Sequence, residues 1–148
     1  KGFNAESFAR SHPGGSLGRR LLTLVRDIMR SGARMPMVQE DAMLSTALME
    51  MSRKGVGMTA IVDQDEVVKG IFTDGDLRRT LEKNLDFGST PVNSVMSAHP
   101  RCIGPDSLAS EAVQLREQYN INQMLVVNEQ HQLVGALNMH DLLHAKVI

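Results

Sequence analysis

A chain that carries one sequence pattern twice must fold as two similar units, and this 148-residue chain does so. Asp41-Ala-Met-Leu-Ser45 stands beside Asp106-Ser-Leu-Ala-Ser110 at an offset of 65. The same offset aligns Gly57-Met-Thr-Ala-Ile-Val-Asp63 with Asn122-Gln-Met-Leu-Val-Val-Asn128. It also aligns Gly70-Ile-Phe-Thr-Asp-Gly-Asp-Leu77 with Gly135-Ala-Leu-Asn-Met-His-Asp-Leu142. Upstream, Val25-Arg-Asp-Ile-Met29 matches Val92-Asn-Ser-Val-Met96 at an offset of 67. One two-residue gap between Met29 and Asp41 brings all four blocks into register.

Each copy reads as α-β-α-β-β-α. A short helix ends in Asp-Ile-Met or Ser-Val-Met. A short extended piece follows, Met35 to Val38 or Pro100 to Ile103. Leu44, Ala47, Leu48 and Met51 then fall on one helical face, and Leu108, Ala112, Leu115 and Tyr119 make the matching stripe. Asp41 and Asp106 stand ahead of these helices as expected N-caps. Strands are expected at Thr59–Val62 and Val67–Phe72, and again at Met124–Val127 and Leu133–Leu137, with polar turns between. A last helix opens at Asp74 or Asn138. Pro91 suits the first turn of the helix that starts the second copy, with Thr90 as its cap. A unit this small leaves one sheet face uncovered, so two copies are expected to pack together as a pseudo-twofold pair. The expected divisions are an arm over residues 1–22, a first unit over 23–84, a linker over 85–90 and a second unit over 91–148.

The composition fits this plan. The chain is 42% hydrophobic, enough for a core, with ten Met, no Trp, one Tyr and four Phe. So few rings argue against a base-stacking nucleic-acid module. The abundant Met is expected at the inter-repeat or dimer surface, because Met adapts to irregular gaps. The single cysteine, Cys102, excludes an internal disulfide and reads as a buried residue of a reducing, cytoplasmic compartment. No apolar run of about 18 residues is present, so no membrane role is expected. The chain starts at Lys1 and reads as a piece of a longer polypeptide. Its net charge of −1 splits into +5 over residues 1–34 and −6 over the rest. The basic part is either a solvated arm or a surface facing a phosphate or an acidic partner.

The doubled pattern, with Val25-Arg-Asp-Ile-Met29 and Gly70-Ile-Phe-Thr-Asp-Gly-Asp76, resembles the cystathionine β-synthase (CBS) domain. Two copies resemble a CBS pair, or Bateman module, over roughly residues 22–148. Ahead of them, Phe8-Ala-Arg-Ser-His12-Pro-Gly-Gly-Ser-Leu-Gly-Arg-Arg-Leu21 resembles the join between a sugar isomerase (SIS) domain and a CBS pair in bacterial arabinose-5-phosphate isomerases. The resemblance implies a parent enzyme that interconverts D-ribulose 5-phosphate and D-arabinose 5-phosphate for Kdo, and hence for lipopolysaccharide or capsule. It implies that this chain is the regulatory part, inactive without the SIS domain. It also implies that His12 belongs to the edge of the isomerase site, where a histidine suits proton transfer through an enediol. Pro13-Gly-Gly15 reads equally as a linker. The implied partners are the SIS domain itself and a second copy of the chain, in a homodimer that builds a tetramer.

Thr73 and Asp76 are the first candidates for a nucleotide site. They stand where an apolar strand gives way to a helix, and the resemblance implies that such Thr and Asp residues hold ribose and phosphate. Arg78 and Arg79 could neutralise the phosphate. The same residues read also as a helix cap with solvated arginines. In the second copy Asn138 replaces Thr73 while Asp141 remains, which weakens an equivalent second site. Asn122 and Gln123 could read a base edge or serve turn backbone groups, and Met58 and Thr59 stand at the corresponding strand of the first copy. No cofactor is expected beyond a regulatory nucleotide such as CMP-Kdo, AMP or ATP. Gly14-Gly-Ser-Leu-Gly18 lacks the Lys-Ser/Thr of a phosphate loop. His140 and His144, at i and i+4, lack the glutamate of a zinc motif, and no metal is expected. Two alternatives stand beside nucleotide sensing: a purely structural dimerisation module, and a CBS pair from an unrelated parent.

Overall fold

The structure is a computed structural model and describes residues 22–145. The first repeat runs α1 (Val25–Ile28), β1 (Met37–Gln39), α2 (Leu44–Lys54), β2 (Met58–Val62), β3 (Val68–Thr73) and α3 (Asp74–Leu81). The second runs from a 3-10 turn at Val92–Ser94 through β4 (Ser97–Ala98), β5 (Cys102–Ile103), α4 (Ala109–Tyr119), β6 (Gln123–Val127), β7 (Leu133–Asn138) and α5 (Met139–His144). The first repeat has the expected α-β-α-β-β-α order; the second opens on a 3-10 turn instead of a helix and carries the extra strand β4, and together they make a mixed α/β pair.

One sheet has the order β1-β2-β3-β4 and the other β5-β6-β7. In both, a short parallel edge strand joins an antiparallel hairpin. Ala60 faces Ile71 as Leu125 faces Ala136. The register shifts at the same point of each copy, Ile61/Val62 and Val126/Val127.

Strand periodicity divides the side chains between two layers. Met58, Ala60 and Val62 point into a central cluster that both repeats share, meeting Leu125, Leu133 and Ala136. Ile61 and Phe72 point the other way, onto Leu44, Ala47 and Met51 of α2. Val126 and Leu137 make the equivalent contacts with Ala112 of α4 and Leu142 of α5. Each sheet thus has helices on one face and its twin on the other. At one end the two hairpins are stitched directly, Val68 N–H to His131 O at 3.0 Å and Leu133 N–H to Glu66 O at 2.9 Å.

The opening segment of each repeat packs on the sheet of the other. Val25 of α1 lies in the helix layer of the second unit, and Val92 in that of the first. The backbone ladders correspond. Val25 N–H donates to Ser107 O and Ala109 N–H to Thr23 O, both at 2.8 Å. Val92 N–H donates to Ala42 O at 2.8 Å and Leu44 N–H to Thr90 O at 2.7 Å. Arg30 pairs with Ala136 as Ser97 pairs with Ile71. Met29 then lies over Gly135 and Met96 over Gly70, where a Cβ would meet Arg30 O at 3.2 Å or Ser97 O at 2.8 Å. Only glycine allows that approach. Met58 is fully buried in the shared cluster with Met35 and Met37 packed against it, but Met29 and Met124 belong to the helix layer of the second unit and Met51 and Met96 to that of the first, so methionine is spread through all three clusters.

Several local expectations fail for identifiable reasons. Asp41 and Asp106 do not cap α2 and α4; Met43 and Leu108 hold the N-cap positions. The N–H groups there are taken by other partners: Leu44 N–H by the incoming segment, and Leu108 N–H by the Glu111 carboxylate at 3.1 Å. Asp106 instead pairs with Arg26. Pro91 is the N-cap of a single 3-10 turn, not the first turn of a helix, and the Thr90 hydroxyl donates to Asp86 O at 2.7 Å. Of the expected stripe Ala112 is buried and Leu115 packs inward, while Leu108 and Tyr119, at its ends, are exposed and Ala109 is buried beside it. The left-handed residues after α2 and α4, Gly55 and Asn120, terminate both helices at equivalent points.

Candidate functional site

The junction of β3 and α3 is built by its own sequence. Thr73 is extended and begins the helix, and its Oγ1 accepts from Asp76 N–H at 3.2 Å. The Asp76 carboxylate accepts in return from Thr73 N–H at 2.9 Å and from the Thr73 hydroxyl at 3.1 Å. This is a reciprocal capping box. The other carboxylate oxygen accepts from Arg79 and from the Ser97 hydroxyl, the latter at 2.8 Å. Asp76 is 4% exposed, so each oxygen of this buried carboxylate is occupied within the protein.

The β7–α5 junction repeats the design. Asn138 N–H donates to Asp141 Oδ2 at 3.0 Å, and Asp141 N–H to Asn138 Oδ1 at 2.9 Å. Asparagine therefore keeps the capping role of Thr73. Its amide also reaches Val56 O of the first repeat at 3.4 Å, a contact threonine could not make. Asp141 is held by Arg30, whose Nε lies 3.2 Å from both oxygens and whose Nη2 lies 3.1 Å from Oδ1. Arg30 and Ser97 are equivalent at the offset of 67. Each exchanged segment thus delivers one side chain to the capping aspartate of the other repeat: a hydroxyl at Asp76, a guanidinium at Asp141.

Two hollows adjoin this machinery. One, of about 310 Å³, lies between the repeats against Gly57, Asp74, Asn122, Gln123, Asn138 and His140. Gly57 has φ +75°, and a Cβ on it would lie 3.0 Å from an Asp74 oxygen and 3.7 Å from the Gln123 amide nitrogen. The second, of about 710 Å³, is bordered by Asp27, Arg30, Arg34, His140, Asp141 and His144.

The expected residues are thus divided. Asn122, Gln123 and Asn138 come together at the inter-repeat hollow, and Asp141 borders its larger neighbour. Thr73 and Asp76 form the opposite cap, with Arg79 on Asp76 and Arg78 exposed beside it. Met58 and Thr59 are 0% exposed, and the Thr59 hydroxyl donates to Ala60 O at 3.3 Å. Gln123 pairs with Asn138 as Met58 pairs with Thr73, so the counterparts of Asn122 and Gln123 are Gly57 and Met58, one residue earlier than expected. His12 lies outside the described residues. Sequence reasoning passed over Arg30, Ser97 and Arg34. The signal for the first two was the Met29/Met96 alignment, which sets Arg30 against Ser97.

Among the described residues no group of three or more His, Cys, Asp and Glu side chains could hold a metal ion. No described helix is long and apolar enough to cross a membrane. Cys102 lies half-buried in β5, and burial pushes its thiol up to about 11, away from nucleophilic reactivity.

Comparison with known proteins places this geometry in a family. The chain is 48% identical over all 148 residues to an arabinose 5-phosphate isomerase of Pseudomonas aeruginosa, and 45% identical to that of Escherichia coli K12. It spans 45% of the length of each. Among solved structures it is similar to a CBS domain protein from Pyrobaculum aerophilum complexed with AMP, with TM-score 0.72, 20% identity, and coverage of 80% of this chain and 89% of that one. It is also similar to a CBS domain pair complexed with 5′-methylthioadenosine and S-adenosyl-L-methionine, with TM-score 0.74, 20% identity, and coverage of 83% and 94%. The CBS domain model matches residues 25–83 and again residues 92–148, and the chain belongs to the CBS domain family as a tandem pair.

Proposed function

We propose that this chain is the regulatory and assembly part of a D-arabinose-5-phosphate isomerase, and that a nucleotide occupies the ends of its inter-repeat cleft. The observation that carries the first half is identity of 45–48% over the whole chain to such isomerases, which continue beyond it. The parent would work in the cytoplasm on sugar phosphates for lipopolysaccharide or capsule. Its SIS domain would supply the chemistry, with His12 at the edge of that site. Two copies would pair through their CBS modules within a tetramer.

The second half rests on the two capping aspartates. A ribose diol on Asp76 would take the place of the Arg79 guanidinium, whose side chain is 67% exposed and free to swing. Arg79 and Arg78 would then meet the phosphate, with Thr73 beside it. At the other end Asp141 and Arg30 would make the same exchange, while Asn122, Gln123 and Asn138 offer donors and acceptors to a base edge. Met58 and Thr59 would act only as buried support. A nucleotide regulates the enzyme only if it binds one state better than another.

The test is the thermal midpoint of the chain with CMP-Kdo, CMP, AMP and ATP. A ligand at 100 times its dissociation constant stabilises by about 2.7 kcal/mol. Asp76→Ala and Asp141→Ala are expected to remove the shift end by end. A shift that survives both substitutions refutes these sites. The absence of a shift with every nucleotide favours the structural reading, in which the pair only assembles the enzyme. One observation favours that alternative: both carboxylates are already satisfied from within the protein.

A further inference from the structure

The two ends of the cleft are built alike and charged differently. At the Asp141 end the hollow of about 710 Å³ has the size of a small-ligand site. Four nitrogen-bearing side chains border it: Arg30, Arg34, His140 and His144. Its two carboxylates are engaged. Asp141 holds Arg30 and the Asn138 N–H, and Asp27 accepts from Leu24 N–H at 3.0 Å. Arg34, His140 and His144 are exposed and make no ion pair among the described residues. An imidazole offers an N–H donor in either protonation state.

The offset of 67 identifies Ser97 as the counterpart of Arg30, and the offset of 65 identifies Gly75 and Arg79 as those of His140 and His144, while Arg34 lies where one offset gives way to the other and Arg101 stands just ahead of β5. Ser97 is neutral and Gly75 has no side chain. Arg79 is bound to Asp76. Arg101 lies over the Tyr119 ring, 3.6 Å from its centroid, a cation–π contact that holds it on α4. At the Asp76 end only Arg78 is likewise exposed without an ion pair among the described residues, against Arg34, His140 and His144 at the other end.

We propose that the Asp141 end selects ligands carrying two or more phosphate charges, and grades them by charge more steeply than the Asp76 end does. The proposal rests on the nucleotide reading above and names the ligand class for one of its two ends. Arg34, His140 and His144 are the groups that meet the added charge, and Arg30 anchors the ribose-side carboxylate.

The experiment is calorimetric titration of the 148-residue chain with adenosine, AMP, ADP, ATP and inorganic pyrophosphate, in low and in high salt. An exposed ion pair is worth up to about fivefold in affinity. With two such pairs ATP is expected to bind about 2- to 25-fold tighter than AMP, with the gap narrowing in high salt. Arg34→Gln with His144→Gln is expected to level the series, and Arg79→Gln to flatten it by less. Equal affinity for every nucleotide overturns the inference and leaves the nucleotide reading standing. Tight pyrophosphate binding to which a nucleoside adds nothing sinks the nucleotide reading and retains the anion selectivity. Binding of none of them overturns both. A series levelled by Arg79→Gln, and not by the double variant, places the selectivity at the wrong end.

Discussion

Replacing Gly135 by alanine tests the exchange of opening segments. A Cβ there would lie against Met29 Sδ, 2.9 Å from Met29 Cγ and 3.2 Å from Arg30 O. Overpacking of this kind costs about 1–3 kcal/mol. Against it, alanine stabilises by about 0.4–1 kcal/mol through the unfolded chain wherever the backbone accepts it. The net expectation is a loss of about 1–2 kcal/mol. Gly88 is the control, because a Cβ on it would meet only an Asp86 oxygen at 3.8 Å. Gly88→Ala should be neutral or stabilising by up to about 1 kcal/mol. The two variants should thus differ by about 2 kcal/mol in urea unfolding, about 6 °C in midpoint for a chain of this size. Met29→Ala removes the side-chain part of the clash and leaves Arg30 O. Gly135→Ala should therefore cost about 1 kcal/mol less in that background, a coupling that a double-mutant cycle isolates. If Gly135→Ala behaves like Gly88→Ala, or its penalty is the same with and without Met29, the first segment does not lie on the second sheet and the reasoning is wrong.

Other measurements probe separate contacts. Arg30→Ala leaves the Asp141 carboxylate short of a partner at 11% side-chain exposure, and should cost about 1–3 kcal/mol in chemical denaturation. Arg26→Ala breaks a pair exposed by 49% and 76%, and should cost at most about 1 kcal/mol; equal losses for the two would contradict the burial assignment. Cys102, with its thiol pushed up to about 11, should react slowly with a thiol-specific disulfide reagent at pH 8 and at the rate of a free thiol in denaturant. For Glu50, burial works to raise the carboxyl, but Lys54, the Met37 N–H and Arg53 outweigh it and hold it below its ordinary 4.5. A lowered carboxylate contributes stability above its unfolded value and loses it as pH falls through the folded one. The stability advantage over Glu50→Gln should therefore be present at pH 7 and shrink below pH 4.5; an advantage that grows in acid would reverse the assignment.

The repeat made the two units, their element order and the shared sheet face legible, because Ala60 and Leu125 occupy one pattern and alternate with Ile61 and Val126. The capping boxes at Thr73–Asp76 and Asn138–Asp141 were legible as well, since their spacing specifies the bonds. The exchange of Val25–Arg30 with Val92–Ser97 was not. A repeat has the same letters whether its opening segment docks on its own sheet or on its twin's. For the same reason Asp41 and Asp106 looked like caps: the N–H groups of Leu44 and Ala109 donate to the carbonyls of Thr90 and Thr23, from distant chain. The contrast between the two ends needed the register, because it lies in Ser97 against Arg30, Gly75 against His140, and Arg101 drawn onto Tyr119.

Crossed opening segments are what two identical half-length chains would adopt if each laid its arm on the other. Residues 85–90 tie such a dimer into one molecule. The tie replaces association from dilute solution by an encounter at millimolar effective concentration, about the value for short flexible linkers. A half-chain cut at Asn84 would then regain its missing arm from another half-chain, and its stability would rise with its own concentration.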